Sequence, residues 1–403
     1  MMIRRYRQIK NQILKRRVPH TLVSWRFLMP GQSQSVRLHR KVFLGAWPRI
    51  PRWQWGLIFL YSECTWLFFF SWQQIYICMG NRRVEVSNQF GVSVQKQFID
   101  LLALALLHGI PPHFYYQYHL FRKSHKQWMD YIYTHELPHW HQVLSAEISQ
   151  KSLRLMTNKK DFAEYMAEKG IASVDSCEFF SKGDPVKASN IFLERSFFFK
   201  PNKGSRSEDC FALLFNGKTR QYHLSGEESI EAKEEILGKL NLRVHAQDYL
   251  VQPLLSNHPQ IIELCGTSEL VTLRLVTGII GQQAVALFAT LEIPRKDDED
   301  GWCLFALDMK TGQLFDKRAH ALAKQTINIQ GKTLPFWQQA VALCVDAHHH
   351  FPDILTIGWD VVIAVSGIKL LEGNINWGVA SHQVFTDEPA LETALATVYG
   401  VSG

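Results

Sequence analysis

The stretch Gly358-Trp359-Asp360-Val361-Val362-Ile363-Ala364-Val365-Ser366-Gly367-Ile368-Lys369-Leu370-Leu371-Glu372-Gly373-Asn374 constrains this chain most. Its β-branched and aliphatic flanks around Ser366-Gly367 read as two short strands joined by a turn. Side chains alternate faces along a strand, so Glu372 and Asn374 share one face. The place of Asp360 depends on the connection. A two-residue loop at Ser366-Gly367 pairs Asp360 with Gly373 and sends it to the opposite face. A three-residue loop with a bulge, which Gly367 permits, pairs Asp360 with Asn374 and leaves Glu372 on the diagonal. We expect the odd-length loop, because it gathers all three oxygen-bearing side chains. Hard oxygen ligands in this number suit magnesium bridged to nucleotide phosphates. A surface hairpin with merely solvated polar residues is the alternative that this stretch alone leaves open.

The rest of the chain must supply a body for that hairpin. At 403 residues it has room for two or three domains of about 100–200 residues each. The net charge of +7 is unevenly spread: residues 1–62 hold thirteen Lys and Arg and no Asp or Glu, which leaves the remainder at −6. A basic arm on a mildly acidic body implies an anionic partner, such as a membrane surface or an anionic polymer. Nucleic acid is not expected, since no nucleic-acid-binding motif accompanies the charge. Seven cysteines occur at scattered positions with no Cys-x-x-Cys pair, which fits a reducing compartment without a disulfide framework or zinc site. The basic start runs into Pro19 and further arginine rather than an apolar secretory segment. A cytoplasmic location is expected, peripheral at the inner face of the membrane.

After the basic arm at 1–52, residues 53–150 read as a helical, aromatic-rich accessory region. Residues 53–79 are near the ~20 apolar residues of a spanning helix but carry Ser62, Glu63 and Thr65 at their centre. Trp53, Trp55, Trp66 and Trp72 fit an interfacial helix, and the preceding arginines fit anionic headgroups. A span and a buried helix remain open beside it. Residues 92–108 predict a helix capped by Ser93 and ended by Gly109, with Pro111 and Pro112 beyond. The aromatic run at 113–121 reads as packing before carbohydrate stacking. His135-Glu136-Leu137-Pro138-His139 matches a zinc-protease pattern that must lie on one helix, but Pro138 opposes that helix, so we treat it as accidental. His348-His349-His350 reads as an exposed helix end.

From residue 157 helices and strands alternate. Residues 158–170 predict an amphipathic helix. A strand at 195–200 runs into Pro201-Asn202-Lys203-Gly204-Ser205-Arg206-Ser207, where small residues and the cations Lys200, Lys203 and Arg206 suit phosphate oxygens; a basic surface turn weighs equally. Strands are expected at 211–215, 221–224, 249–255, 270–277 and 284–292. Helices are expected at 227–239, with Ser225 as N-cap, and at 336–348. Pro253 suggests an edge strand or a hinge. Arg274, alone among apolar neighbours, must meet a carboxylate or an anionic ligand.

Taken in order, Lys159 before a helix, Phe197-Phe198-Phe199-Lys200-Pro201-x-x-Gly204-Ser205, a strand with a proline hinge, and Asp360…Glu372-x-Asn374 resemble the ATP-grasp superfamily. Leu270-Val271-Thr272-Leu273-Arg274-Leu275-Val276-Thr277-Gly278, Ile357-Gly358-Trp359-Asp360 and Leu370-Leu371-Glu372-Gly373-Asn374-x-x-Trp377-Gly378 look most like its sugar-transfer-associated group. The resemblance covers about 157–380. It implies an α+β fold of two lobes closing on a nucleotide, at 151–250 and 251–403, after a mostly helical N-terminal region. It implies that Lys159 and Lys200 contact ATP, with Lys203 beside them, that Gly204-Ser205-Arg206-Ser207 form the phosphate loop, and that backbone at Val251, Gln252 and Leu254 meets the adenine. Asp360, Glu372 and Asn374 would hold one or two Mg2+ ions, and Arg274 would lie near the transferred phosphate or the carboxylate. The implied chemistry is carboxylate activation as an acylphosphate for attack by an amine or other nucleophile, in cell-surface glycan assembly, with a glycan or amino acid as substrate. A membrane-peripheral nucleotide-binding or scaffold protein without turnover is the competing reading, and a phosphotransferase that stops at a phosphorylated product is a third.

Overall fold

The computed structural model describes residues 23–46, 52–80, 82–144, 147–203, 209–226, 232–295, 301–316 and 327–400. Its first part is helical: α1 (Gln34–Gly45), α2 (Arg52–Thr65), a π-turn (Trp66–Phe70), α3 (Ser71–Cys78), α4 (Arg82–Phe90), α5 (Val94–Leu102) and α6 (Leu137–Leu144). Ser33 and Ser93 start α1 and α5, their hydroxyls accepting from the Val36 and Lys96 N–H groups at 3.3 and 3.2 Å. The helix expected over 92–108 is α5 followed by a second π-turn (Ala103–Leu107), and Gly109, at φ +63°, ends it. The aromatic run is packing: Phe114, Tyr115, Tyr116, Tyr118 and Phe121 are buried in one core with Leu101, Leu104 and Trp128.

Two antiparallel sheets follow, with α7 (Gln150–Thr157) and α8 (Lys159–Glu168) before them. The smaller contains β1 (Glu178–Phe180), β2 (Phe197–Pro201), β3 (Phe211–Asn216), β4 (Gln221–Leu224) and, after α9 (Lys233–Ala246), β5 (Tyr249–Pro253), in the order β1-β5-β2-β3-β4. After α10 (Pro259–Cys265), the larger contains β6 (Thr272–Ile280), β7 (Gln283–Pro294), β8 (Trp302–Leu307) and β9 (Leu314–Phe315), then α11 (Trp337–His349), β10 (Thr356–Ala364) and β11 (Gly367–Asn374), in the order β11-β10-β6-β7-β8-β9. Ile236, Leu240 and Val244 of α9 cover the smaller sheet. Phe162 and Met166 of α8 and Ala340, Cys344 and Ala347 of α11 cover one face of the larger, over Leu275, Leu291, Phe305 and Trp359. After the sheets comes α12 (Ala380–Thr386).

Five expectations are corrected. Of the two readings of Pro253, the edge strand is overturned: its strand lies inside the sheet between β1 and β2, with the proline as its last residue, where a missing N–H costs the ladder least. The helix expected from 227 is described from Lys233, after an extended Ala232, residues 227–231 lying outside the described ones, and the Ser225 hydroxyl accepts from the Ala212 N–H at 2.9 Å. His348 is buried, not exposed. Its Nε2 donates to the Ile354 carbonyl at 2.8 Å, so its Nδ1 accepts from the Thr277 hydroxyl at 2.6 Å, and Thr277 accepts from the Trp359 indole at 2.8 Å. The hairpin register also differs, as described below. His135 and His139 do not share one helix, because α6 begins at Leu137; Pro138 lies in its first turn rather than preventing it.

The helical region is built into the body. Leu38, Val42 and Trp140 share a core with Val276, Phe288, Trp377 and Leu395. The Gln383 amide clamps Ile132, accepting from its N–H at 2.9 Å and donating to its carbonyl at 2.8 Å.

Candidate active site

The β10–β11 connection is a two-residue turn at Val365-Ser366, with Ala364 paired to Gly367, and Asp360 lies directly opposite Glu372 rather than Asn374. The extra residue sits within the strand: Leu371 bulges between the Val361–Leu370 and Asp360–Glu372 pairs. The reason lies on the two faces. Leu370 is fully buried in the core under the sheet. Strict alternation would put Glu372 there with it. The bulge turns Glu372 and Asn374 to the other face, where Asp360 is. The expected gathering of three oxygens is therefore present by a different register.

Pairing extends this face across the sheet as a row: Glu372, Asp360, Arg274, Thr290 and Ala306 stand opposite one another in turn. The Asn374 amide donates toward Asp360 Oδ2 and Glu372 Oε1, 3.5 Å from each. Arg274 Nε lies 2.5 Å from Asp360 Oδ1 and 3.9 Å from Glu292 Oε1. Among the described residues Arg274 Nε and Asp360 Oδ1 are buried and form no hydrogen bond, so the first contact is an ion pair. Burial pushes the Asp360 carboxyl up to about 8, with Glu372 and Glu292 adding to the rise and Arg274 opposing it. Two close contacts keep the strands tight here. A Cβ on Gly358 would meet Trp377 Cβ at 2.6 Å, and one on Gly373 would meet Met156 Sδ at 2.9 Å.

The cations arrive from the smaller sheet and from α8. Asn158 caps α8, accepting from the Asp161 N–H at 3.0 Å. Asn202, just past β2, accepts from the Lys160 N–H through its side chain at 3.0 Å and from the Lys159 N–H through its carbonyl at 3.2 Å. That strap joins the start of α8 to the end of β2 and brings Lys159 beside Lys200. Lys159 Nζ stands 4.0 Å from Glu372 Oε2. Lys200 is buried; burial lowers its ammonium to about 8, with Glu372 opposing and Lys159 assisting that drop.

Lys159, Lys200, Arg274, Asp360, Glu372 and Asn374 are thus gathered in one cleft. Lys203 is exposed at its rim, and Gly204, Ser205, Arg206 and Ser207 lie outside the described residues. Val251, Gln252 and Leu254 lie on or just after β5, one strand over from Lys200. The Val251 carbonyl accepts from the Cys177 N–H at 2.8 Å, the Leu254 N–H donates to the Ser196 carbonyl at 3.1 Å, and the Gln252 amide donates to the Val174 carbonyl at 2.9 Å. Sequence reasoning missed Asn202 and Glu292. Glu292 was findable, as a lone acid between Leu291 and Ile293, by the argument that singled out Arg274.

Residues 145–398 match the family described as sugar-transfer associated ATP-grasp. The chain belongs to that family. Its two facing α+β lobes after a helical region are the ATP-grasp fold. Among solved structures, D-alanine–D-alanine ligase from Helicobacter pylori is 13% identical, with 65% of this chain and 68% of that one covered at a TM-score of 0.40. N5-carboxyaminoimidazole synthetase from Staphylococcus aureus is 12% identical, with 65% of this ATP-grasp chain and 58% of that one covered at a TM-score of 0.39. No curated protein matches.

The cleft fits the nucleotide and metal that an ATP-grasp chain implies. Among the described residues no three His, Cys, Asp or Glu side chains are grouped to hold a metal alone. Two carboxylates and an amide leave most of an octahedral shell to other oxygens, which is how magnesium is held against phosphates. The unsatisfied Asp360 Oδ1 and the buried Lys200 mark where such charge would be neutralised.

Proposed function

We propose that this chain is an ATP- and magnesium-dependent ligase that activates a carboxylate as an acylphosphate for attack by an amine or other nucleophile. The observation that carries the reading is the strand-face row Glu372–Asp360–Arg274, with Asn374 beside it and Lys159 and Lys200 approaching from across the cleft. When bound, MgATP supplies the phosphoryl group, whose transfer depends on positioning and charge neutralisation rather than on a protein nucleophile. Asp360, Glu372 and Asn374 hold the metal. Burial favours the protonated Asp360 carboxyl, and a bound cation would favour its ionised form. Lys159 and Lys200 hold phosphate oxygens, and the phosphates restore the charge that burial disfavours on Lys200. Arg274, pinned between Asp360 and Glu292, presents its remaining guanidinium N–H groups to the transferred phosphoryl group or the carboxylate. The family's association with sugar transfer supports a role in cell-surface glycan biosynthesis or modification, with a glycan or amino acid as substrate.

The test is the melting temperature with and without MgATP, for wild type and Glu372→Ala, followed by ADP release on adding carboxylates. A ligand at a hundredfold excess over Kd stabilises by about 2.7 kcal/mol. A magnesium-dependent rise lost in Glu372→Ala, with ADP release that requires a carboxylate, is expected. A rise without ADP release across carboxylate and amine pairs would leave a binding protein without turnover.

A further inference from the structure

Helices α2 and α3 and the π-turn between them form one rod over residues 52–78, about 40 Å long at 1.5 Å per residue. One side is anchored. Ser62, Trp66, Ser71 and Ile75 are buried, and the Trp66 indole N–H donates to the Ala105 carbonyl at 2.8 Å. The Ser71 N–H reaches back five residues to the Trp66 carbonyl, and this wider turn keeps 66 and 71 on the same side. The other side is bare: Trp53, Leu57, Leu60, Phe68, Phe69 and Tyr76 are each 60–84% exposed. With aromatic side chains of ~150–250 Å² each, the bare face is on the order of 1,000 Å², above the ~300–600 Å² of the largest patch on an ordinary monomer.

Charge says what covers it. Glu63 is the rod's only acid, and its Oε1 is buried on the anchored side without a hydrogen bond. Exposed cations stand at both ends. Arg37, Arg40 and Lys41 lie on α1, whose Phe43 ring sits 6.2 Å from Phe59 of the rod, and Arg82 and Arg83 open α4 just after the rod ends. An apolar face rich in Trp, Phe and Tyr, free of exposed acid and flanked by Arg and Lys, complements an anionic lipid surface. Among the described residues no single helix is long and apolar enough to cross a membrane. We propose that this face seats in the interfacial zone of a bilayer bearing anionic lipids, holding the rod parallel to the surface. The proposal is independent of nucleotide turnover.

The test is co-sedimentation of the full-length protein with vesicles of phosphatidylcholine alone or with 30% phosphatidylglycerol. Binding to the anionic vesicles, at least halved in 0.5 M NaCl, is expected. Trp53→Ser/Phe68→Ser/Phe69→Ser should lower partitioning about tenfold, and Arg82→Glu/Arg83→Glu at least about fivefold on anionic vesicles only. Leu242→Ser, at an exposed leucine of α9, should change nothing. If the triple variant melts below wild type, Leu57→Ser/Phe68→Ser replaces it. No binding to anionic vesicles, equal binding of wild type and the apolar variant, or a dimer that the apolar variant dissociates would overturn the proposal, the last by assigning the face to a second copy.

Discussion

Glu136 and Asp360 are both buried carboxylates, one among the helices and one in the cleft between the sheets, and their surroundings differ. Glu136 Oε2 lies 3.1 Å from His39 Nδ1, its Oε1 accepts from the Tyr133 N–H at 2.8 Å, and His39 Nε2 donates to the Met129 carbonyl at 2.9 Å. Burial pushes Glu136 up, but His39 and these bonds bring it below its ordinary value. Asp100 is closed in the same manner by Lys96 at 2.5 Å, Tyr115 at 2.8 Å and His125 at 3.0 Å. At Asp360 burial prevails, and Oδ1 has a cation beside it but no hydrogen bond. Glu136 and Asp100 are closed by their own neighbours, whereas Asp360 in the cleft is left to be closed by something that binds; Glu63 of α2, whose Oε1 is also buried without a hydrogen bond, is the exception among the helices. A buried polar group without its bond costs stability, and such groups concentrate where a ligand completes them.

The largest effect that tests this contrast is on turnover. Asp360→Asn and Glu372→Gln should each lower ADP release by about 10³-fold or more, while the melting temperature changes little, because Glu372 is partly exposed and an amide keeps the size of the Asp360 carboxyl. Parallel loss of folding and turnover would erase the distinction. Among the helices the order reverses: Glu136→Ala should cost about 3–5 kcal/mol in denaturant unfolding by leaving His39 buried and unpaired, and His39→Leu/Glu136→Leu should recover most of that. A cost below about 1 kcal/mol would rank the pair with surface ion pairs.

Gly358→Ala joins the two regions, because its Cβ would strike Trp377, which packs in the core shared with the helices. A loss of about 1–3 kcal/mol is expected, and an unchanged melting curve would show that Trp377 yields. The smallest effect is on pH dependence. His39 is raised above 6.5, so its stabilisation is complete below that pH and is lost as pH climbs through the folded value. Glu136 is held below 4.5, so its share is present above 4.5 and is lost as pH falls. The pair therefore stabilises most between about 4.5 and 6.5. His39→Gln should flatten the decline in melting temperature from pH 6.5 to 8, and an unaltered decline would assign it to other groups.

Much of the cleft was legible because strands advertise exceptions. Arg274 and Asp360 interrupt apolar runs, and Glu372 and Asn374 alternate with Leu371 and Gly373. The turn was placed one residue late, since Ser366-Gly367 is good turn chemistry and nothing local reveals that Leu371 bulges. His348 was misjudged because its partner Thr277 lies 71 residues away. Asn202 carries no local signal at all, its role being to strap α8 to β2.

The sequence by itself determined which polar side chains interrupt the apolar strands and, through period-two alternation, that Glu372 and Asn374 share a strand face. Only the tertiary structure decided the register that brings Asp360 against both Glu372 and Arg274, and which buried charges are closed and which left open. Alternation is a property of neighbouring residues. Register and closure are set by pairings between distant segments, where the burial of Leu370 on one face dictates the turn of Glu372 to the other.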